Sequence, residues 1–216
     1  MSLHYLIREP KIKADKSPLL VLLHGYGSNE QDLFSFASEL PDTCYVVSVR
    51  APYDLQYNSY CWYAINFDAD ENKFSDHEQA KRSRDVIAGF IDELIQKYPV
   101  DAQNITLIGF SQGSILSYAI ALSYPEKVKK VIALSGYLNM EIVKEGFDKN
   151  DLSTLTMFIS HGTADQVVPV DWARKAAPAL KDLGVKTVYK EYPVGHGVAP
   201  QNFYDLKKWL EEELKS

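Results

Sequence analysis

Uninterrupted apolar runs, rather than alternating ones, recur along this chain: LLVLLHG at 19–25, CYVVSV at 44–49, NITLIGF at 104–110, VKKVIALSG at 128–136 and LTMFISHG at 155–162. Runs of this kind mark strands whose two faces are both covered. LHYLIRE (3–9) and KTVYKEY (186–192) add a strand near each end. Between them the period shifts to that of helices. SNEQ (28–31) has the spacing of a capping box before DLFSFASEL, and SDHE (75–78) repeats it before a long amphipathic stretch that ends ahead of Pro99. SILSYAIALSY is a helix stopped by Pro125, VDWARKAAPALKDLG one closed by Gly184, and a last helix runs from about Pro200 to Leu214. Strands alternating with helices predict an α/β protein, with a mostly parallel central sheet and helices on both faces. Only residues 51–75 break the alternation, with Tyr53, Tyr57, Tyr60, Trp62, Tyr63, Phe67 and Phe74 crowded together.

Composition narrows the class. With 216 residues and neither repeat nor linker, residues 1–216 are expected to form a single domain. A net charge of −6 argues against nucleic acid or an anionic membrane as the main partner, since both require basic patches. No stretch approaches the roughly 18 apolar residues of a membrane helix. The start MSLHYLIREP lacks the charge and apolar core of a secretion signal. Two cysteines, Cys44 and Cys61, have no metal-ligand spacing, and a reduced cytoplasmic setting is expected.

The chemistry enters at GFSQG (109–113). A serine between two glycines can be an ordinary tight turn. Here it stands between a buried strand and a helix, where such a turn exposes the hydroxyl and needs tiny neighbours two positions away. In a sheet of this kind, active groups belong on loops at the carboxyl ends of strands. A serine becomes nucleophilic only with a base, itself oriented by a carboxylate, and on this architecture the chain order is serine, acid, histidine. Downstream of Ser111 stand only His161 and His196. His196, flanked by glycines in PVGHGVAP, is the base; Asp165, past the LTMFIS strand, is the acid. His161 is expected to brace the acid loop, Asp171 to cap the following helix, and His4 and His77 to be solvated. Backbone N–H groups of Gln112 and of Tyr26 in HGYG are the expected donors to an oxyanion.

LHGYGSNEQDL, the Trp-bearing loop, GFSQG, HGTADQVVP and GHG, in that order, resemble the phospholipase/carboxylesterase family of α/β-hydrolases, which includes the acyl-protein thioesterases. The resemblance spans nearly the whole chain. It implies the α/β-hydrolase fold, the Ser111–His196–Asp165 triad, oxyanion amides at Tyr26 and Gln112, and hydrolysis of short- to medium-chain acyl esters or thioesters without metal or cofactor. It also implies a pocket tryptophan, Trp62, although Cys61 and Ala64 replace the serine and aspartate common beside it. Tyr63 and Val167 are assigned to the substrate site with Trp62, and the 51–75 loop to the acyl wall. Residues 137–154 leave no room for a large cap domain, so an open site is expected. The alternatives are a lysophospholipase, a protein depalmitoylase, a small peptidase, or a binding module without catalysis. The substrate is thus a small acyl compound, an acylated protein or a lysophospholipid, and the chain is read as a monomer or a homodimer.

Overall fold

The computed structural model of the chain describes residues 3–67 and 73–215. It begins with strands β1 (Tyr5–Arg8) and β2 (Ser17–Leu23), helix α1 (Gln31–Phe34) and strand β3 (Tyr45–Val49). Two short hairpins follow, β4 (Tyr53–Asp54) with β5 (Tyr60–Cys61) and β6 (Ile65–Phe67) with β7 (Lys73–Ser75). Helix α2 (His77–Lys97), strand β8 (Val100–Phe110), helix α3 (Gln112–Ser123) and strands β9 (Lys130–Leu134) and β10 (Thr156–Gly162) come next. Helices α4 (Val170–Arg174) and α5 (Ala176–Asp182), strand β11 (Lys186–Tyr192) and helix α6 (Pro200–Glu213) complete it.

Seven strands form one sheet in the order β1-β3-β2-β8-β9-β10-β11. Only β1 runs antiparallel to its neighbour. The reason for the unbroken apolar runs is visible along β2. Leu19, Val21 and Leu23 pack with Ile87, Phe90 and Ile91 of α2 and Leu116 of α3. Leu20 and Leu22 face the other way, toward Leu33 of α1 and Leu206, Trp209 and Leu210 of α6. Helices cover both faces of a mostly parallel sheet, as the strand–helix alternation predicted, and this is the α/β-hydrolase fold that the resemblance implied. Residues 137–154 carry two short 3₁₀ turns, Met140–Ile142 and Phe147–Lys149, and no cap.

Local expectations needed correction in four places. The capping box at Ser28 does not form: α1 starts after Glu30 and makes no side-chain cap, while Asn29 accepts from the Gln31 amide. Beyond Phe34 the expected helix is replaced by three-residue turns. At the second site the cap is Asp76, not Ser75, accepting from the Gln79 amide at 2.9 Å. The helix expected over 170–184 is broken at Lys175, because Pro178 has no N–H for the Arg174 carbonyl and its ring would crowd that group. Asp171 lies inside α4, one residue past its start, so it does not cap the helix and instead pairs with Arg174 at 2.8 Å.

Chain order in the sheet positions the site. From β2 the chain passes to β3 on one side and later to β8 on the other, so the loops leaving β2 and β8 open side by side. Leu23 is paired with Gly109 at that edge. Ligand crevices in open α/β sheets form at such reversals.

Candidate active site

Ser111 follows β8 directly and precedes α3 with φ 51° and ψ −115°, a strained conformation for a residue with a side chain. The two glycines make that turn possible by their lack of a side chain. A Cβ at Gly113 would lie 2.0 Å from the Leu23 carbonyl oxygen, and one at Gly109 would lie 2.4 Å from that of Gly113. Strand, turn and helix can close on one another only with hydrogens there. The Ser111 amide is held by the Leu134 carbonyl at 2.8 Å, which locks the turn to β9.

The acid and base come from neighbouring strand ends. The Thr163 amide donates to the Tyr192 carbonyl and the Ala164 amide to that of Val194, binding the loops after β10 and β11 together. Gly162 permits this approach, since a Cβ there would stand 2.2 Å from the Gly195 carbonyl oxygen. As a result His196 Nδ1 lies 2.7 Å from Asp165 Oδ2, and His196 Nε2 lies 3.0 Å from Ser111 Oγ. A carboxylate beside Nδ1 selects the tautomer with the proton there, leaving the Nε2 lone pair for the serine proton. Phe110 packs against the imidazole with ring centroids 5.0 Å apart.

Asp165 is buried, and burial works against its charged form. The bonds to His196 and to the Val168 and Val167 amides outweigh that and hold its carboxyl below the ordinary aspartate value. Its other oxygen, Oδ1, accepts from the Val167 amide at 2.8 Å and the Val168 amide at 2.9 Å. His161 is wholly buried beside it, with Nε2 2.8 Å from the Val168 carbonyl oxygen and 3.2 Å from Asp165 Oδ2. It thus touches the acid loop that the sequence reading had it brace.

Ser111 and His196 open into a cavity of about 350 Å³. Tyr26 and Gln112 share its lining, and among the described residues no backbone carbonyl accepts from the amide of either. The floor is buried Tyr63 and Ile115, and Val167 stands exposed at the rim. Burial pushes the Tyr63 phenol well above its ordinary value, so this group stays protonated. Tyr63 and Val167 therefore reach the space the sequence assigned to them, whereas Trp62 does not line it.

The chain matches the phospholipase/carboxylesterase family over residues 5–214. It belongs to that family. Acyl-protein thioesterase 1 of Debaryomyces hansenii is 29% identical over 157 residues, covering 71% of this chain and 67% of the relative. The protein of that name from Aspergillus fumigatus is 32% identical over 146 residues, covering 66% and 60%. The matched stretches thus span about two thirds or less of these relatives' own length. Among solved structures, esterase PE8 superposes with a TM-score of 0.84 at 27% identity, covering 98% of this chain and 99% of that one.

In this phospholipase/carboxylesterase family member, Trp62 is fully buried as a brace behind the site. Its indole Nε1–H donates to the His24 carbonyl at 2.8 Å, and its own carbonyl accepts from Ser83 Oγ at 2.5 Å. The Gln112 side chain supplies the rest. Its Oε1 accepts from the Trp62 amide and its Nε2–H donates to the Tyr63 carbonyl, both at 2.8 Å. His24 receives the Ala51 amide on Nε2 at 3.1 Å and holds the Gly25 carbonyl from Nδ1 at 2.7 Å. The expectation that the 51–75 loop forms the acyl wall holds for only part of that loop. Among the described residues only Tyr63 and Ile65 of that segment line the cavity, and residues 68–72 lie outside the description. The remaining wall residues, Ile115, Tyr137, Val168 and Trp172, were not singled out from sequence. The one signal available for Gln112 was a long polar side chain opening an otherwise small and apolar buried helix.

Proposed function

We propose that this chain is a serine hydrolase that cleaves short- to medium-chain acyl esters or thioesters through an acyl-enzyme. Ser111 Oγ attacks the carbonyl carbon while its proton passes to His196 Nε2. The oxyanion so formed takes hydrogen bonds from the Tyr26 and Gln112 amides, an arrangement that typically contributes about 3 kcal/mol per donor to transition-state stability. As the tetrahedral centre collapses, the carbon–oxygen or carbon–sulfur bond breaks and His196 returns the proton to the leaving atom. Water then attacks the acyl-serine, gives a proton to His196, and the acid departs as Ser111 regains its hydrogen. Asp165 keeps the imidazole in the required tautomer throughout.

The observation that carries this reading is the continuous Ser111–His196–Asp165 contact, 3.0 and 2.7 Å, ending at a serine in an apolar cavity. The relatives' names, acyl-protein thioesterase, point to the same bond class. A cavity of about 350 Å³ lies at the small end of ligand pockets, which favours short chains over the long ones of lipids. Among the described residues no helix is long and apolar enough to cross a membrane. Both cysteines are buried free thiols, and burial pushes that of Cys61 up to about 11. This supports a reduced, cytoplasmic setting, and we read residues 1–216 as one working domain.

The test is hydrolysis of a chromogenic acetyl ester and thioester by the wild type and by Ser111→Ala, with a fluorophosphonate probe as second readout. Activity lost and no adduct in the variant, against an adduct on Ser111 in the wild type, is the expected result. Undiminished turnover in Ser111→Ala would remove the serine from the mechanism.

A further inference from the structure

Trp172 is hard to account for as packing. It is 48% exposed and stands outside both clusters of the core. Its helix α4 is cut off by the break at Lys175, so the ring stays at the cavity wall beside Val167 and Val168. There it meets Tyr137, which leaves the end of β9, edge to face at 5.2 Å and 75°. This geometry is favourable for aromatic pairs and fixes the two rings relative to each other.

The same two rings form a boundary. On one side lies the apolar cavity with Tyr63, Ile65 and Ile115. On the other lies a second cleft of about 460 Å³, lined also by Ser75, His77, Leu138, Asn139, Glu141 and Lys175. His77 Nδ1 stands 2.7 Å from Glu141 Oε2 in that cleft, so this histidine is paired rather than merely solvated. A chain passing the rings would leave an apolar lining for a more open cleft that also holds charged side chains, so each further methylene would be less fully removed from water.

The reaction itself orients the chain, if the reading under the previous heading holds. The leaving atom must stand within reach of His196 Nε2 to receive its proton. The rest of the cavity is then left for the acyl chain, and Tyr137 and Trp172 line both this space and the cleft beyond. We propose that Tyr137 and Trp172 form a stop that sets the longest acyl chain this hydrolase accepts. Acyl-length selectivity then belongs to the loop after β9 and to α4, not to the hairpins around Trp62.

A series of p-nitrophenyl esters from acetate to laurate tests this on the intact protein. The readout is the ratio of kcat/KM for octanoate to that for acetate. Replacing an aromatic ring by methyl opens room for several methylenes, and one methylene in an apolar pocket is worth about tenfold or more in specificity. The ratio is therefore expected to rise at least about tenfold in Trp172→Ala and in Tyr137→Ala, with Trp172→Phe intermediate. The half-exposed Trp172 makes its variants tolerable to the fold, and circular dichroism on each preparation checks that. An unchanged or lower ratio in both alanine variants overturns the stop. Failure of the wild type to hydrolyse any ester, or activity surviving Ser111→Ala, overturns instead the serine-hydrolase reading on which it rests.

Discussion

At the scale of single residues, the site depends on atoms whose partners leave little freedom. Asp165 shows this best: one oxygen is occupied by two amides and the other by His196. An asparagine could present its NH₂ group to the imidazole only by turning the proton pattern around. The histidine would then carry hydrogen on Nε2 and could not accept from Ser111. Asp165→Asn is expected to lower kcat by about 10⁴ with KM little changed, measured on the acetyl ester. A loss below about tenfold would mean that Asp165 does not select the tautomer. That Ser111, Asp165 and His196 come together could be read from sequence because each follows a strand end, where order along the chain maps directly onto order across the sheet. His161 was legible only as a neighbour of the acid, since its contact with the Val168 carbonyl depends on how the loop folds back.

At the scale of elements, the nucleophile turn and the hairpin region act as one piece. Gln112 does two unrelated things: it lines the cavity beside Ser111, while its side chain pairs with the Trp62 amide and the Tyr63 carbonyl. Gln112→Ala leaves a buried N–H and a buried C=O without partners, each costing roughly 1–3 kcal/mol. Chemical denaturation should show that loss as a lower midpoint with unchanged slope. Stability equal to wild type would show that water replaces the side chain. Neither this clamp nor the burial of Trp62 can be read from local pattern. A tryptophan among tyrosines looks like a pocket wall, and only the approach of α2 and α3 from distant parts of the chain turns it into a brace. The break between α4 and α5 is different, since Pro178 stood in the sequence as a visible obstacle to a continuous helix. There the apolar spacing pointed to one helix and backbone sterics prevailed.

For the whole molecule, acid is the expected weakness. His24 is fully buried with both ring nitrogens engaged, and burial, ahead of the opposing pull of the Gly25 carbonyl, lowers its pKa below the ordinary value. Its native form is neutral, so unfolding takes up a proton below the free histidine value of about 6.5. Stability from this group is complete above that pH and is lost as the pH falls toward the lowered native value. Asp165, also depressed, adds a second loss below about pH 3.9, the free aspartate value. Tm is therefore expected to fall between about pH 7 and pH 5, and to fall less in His24→Gln. A Tm equally pH-dependent in both proteins would assign the proton uptake elsewhere. Because His24 supports the loop carrying Tyr26, the same titration would disturb the oxyanion donors proposed above.

By itself, the amino-acid order determined the sheet with its covered faces, the sharp turn at Ser111, and which acid and histidine meet that serine. Each of these follows from short-range backbone sterics, from hydrophobic period, or from the sequence of strand ends along the chain. The tertiary structure alone decided what surrounds the serine: that Trp62 and Gln112 brace the site from behind, and that Tyr137 and Trp172 meet across the end of the cavity. Those contacts join residues far apart in the chain, and packing, which no local pattern encodes, chose among the faces each side chain could have taken.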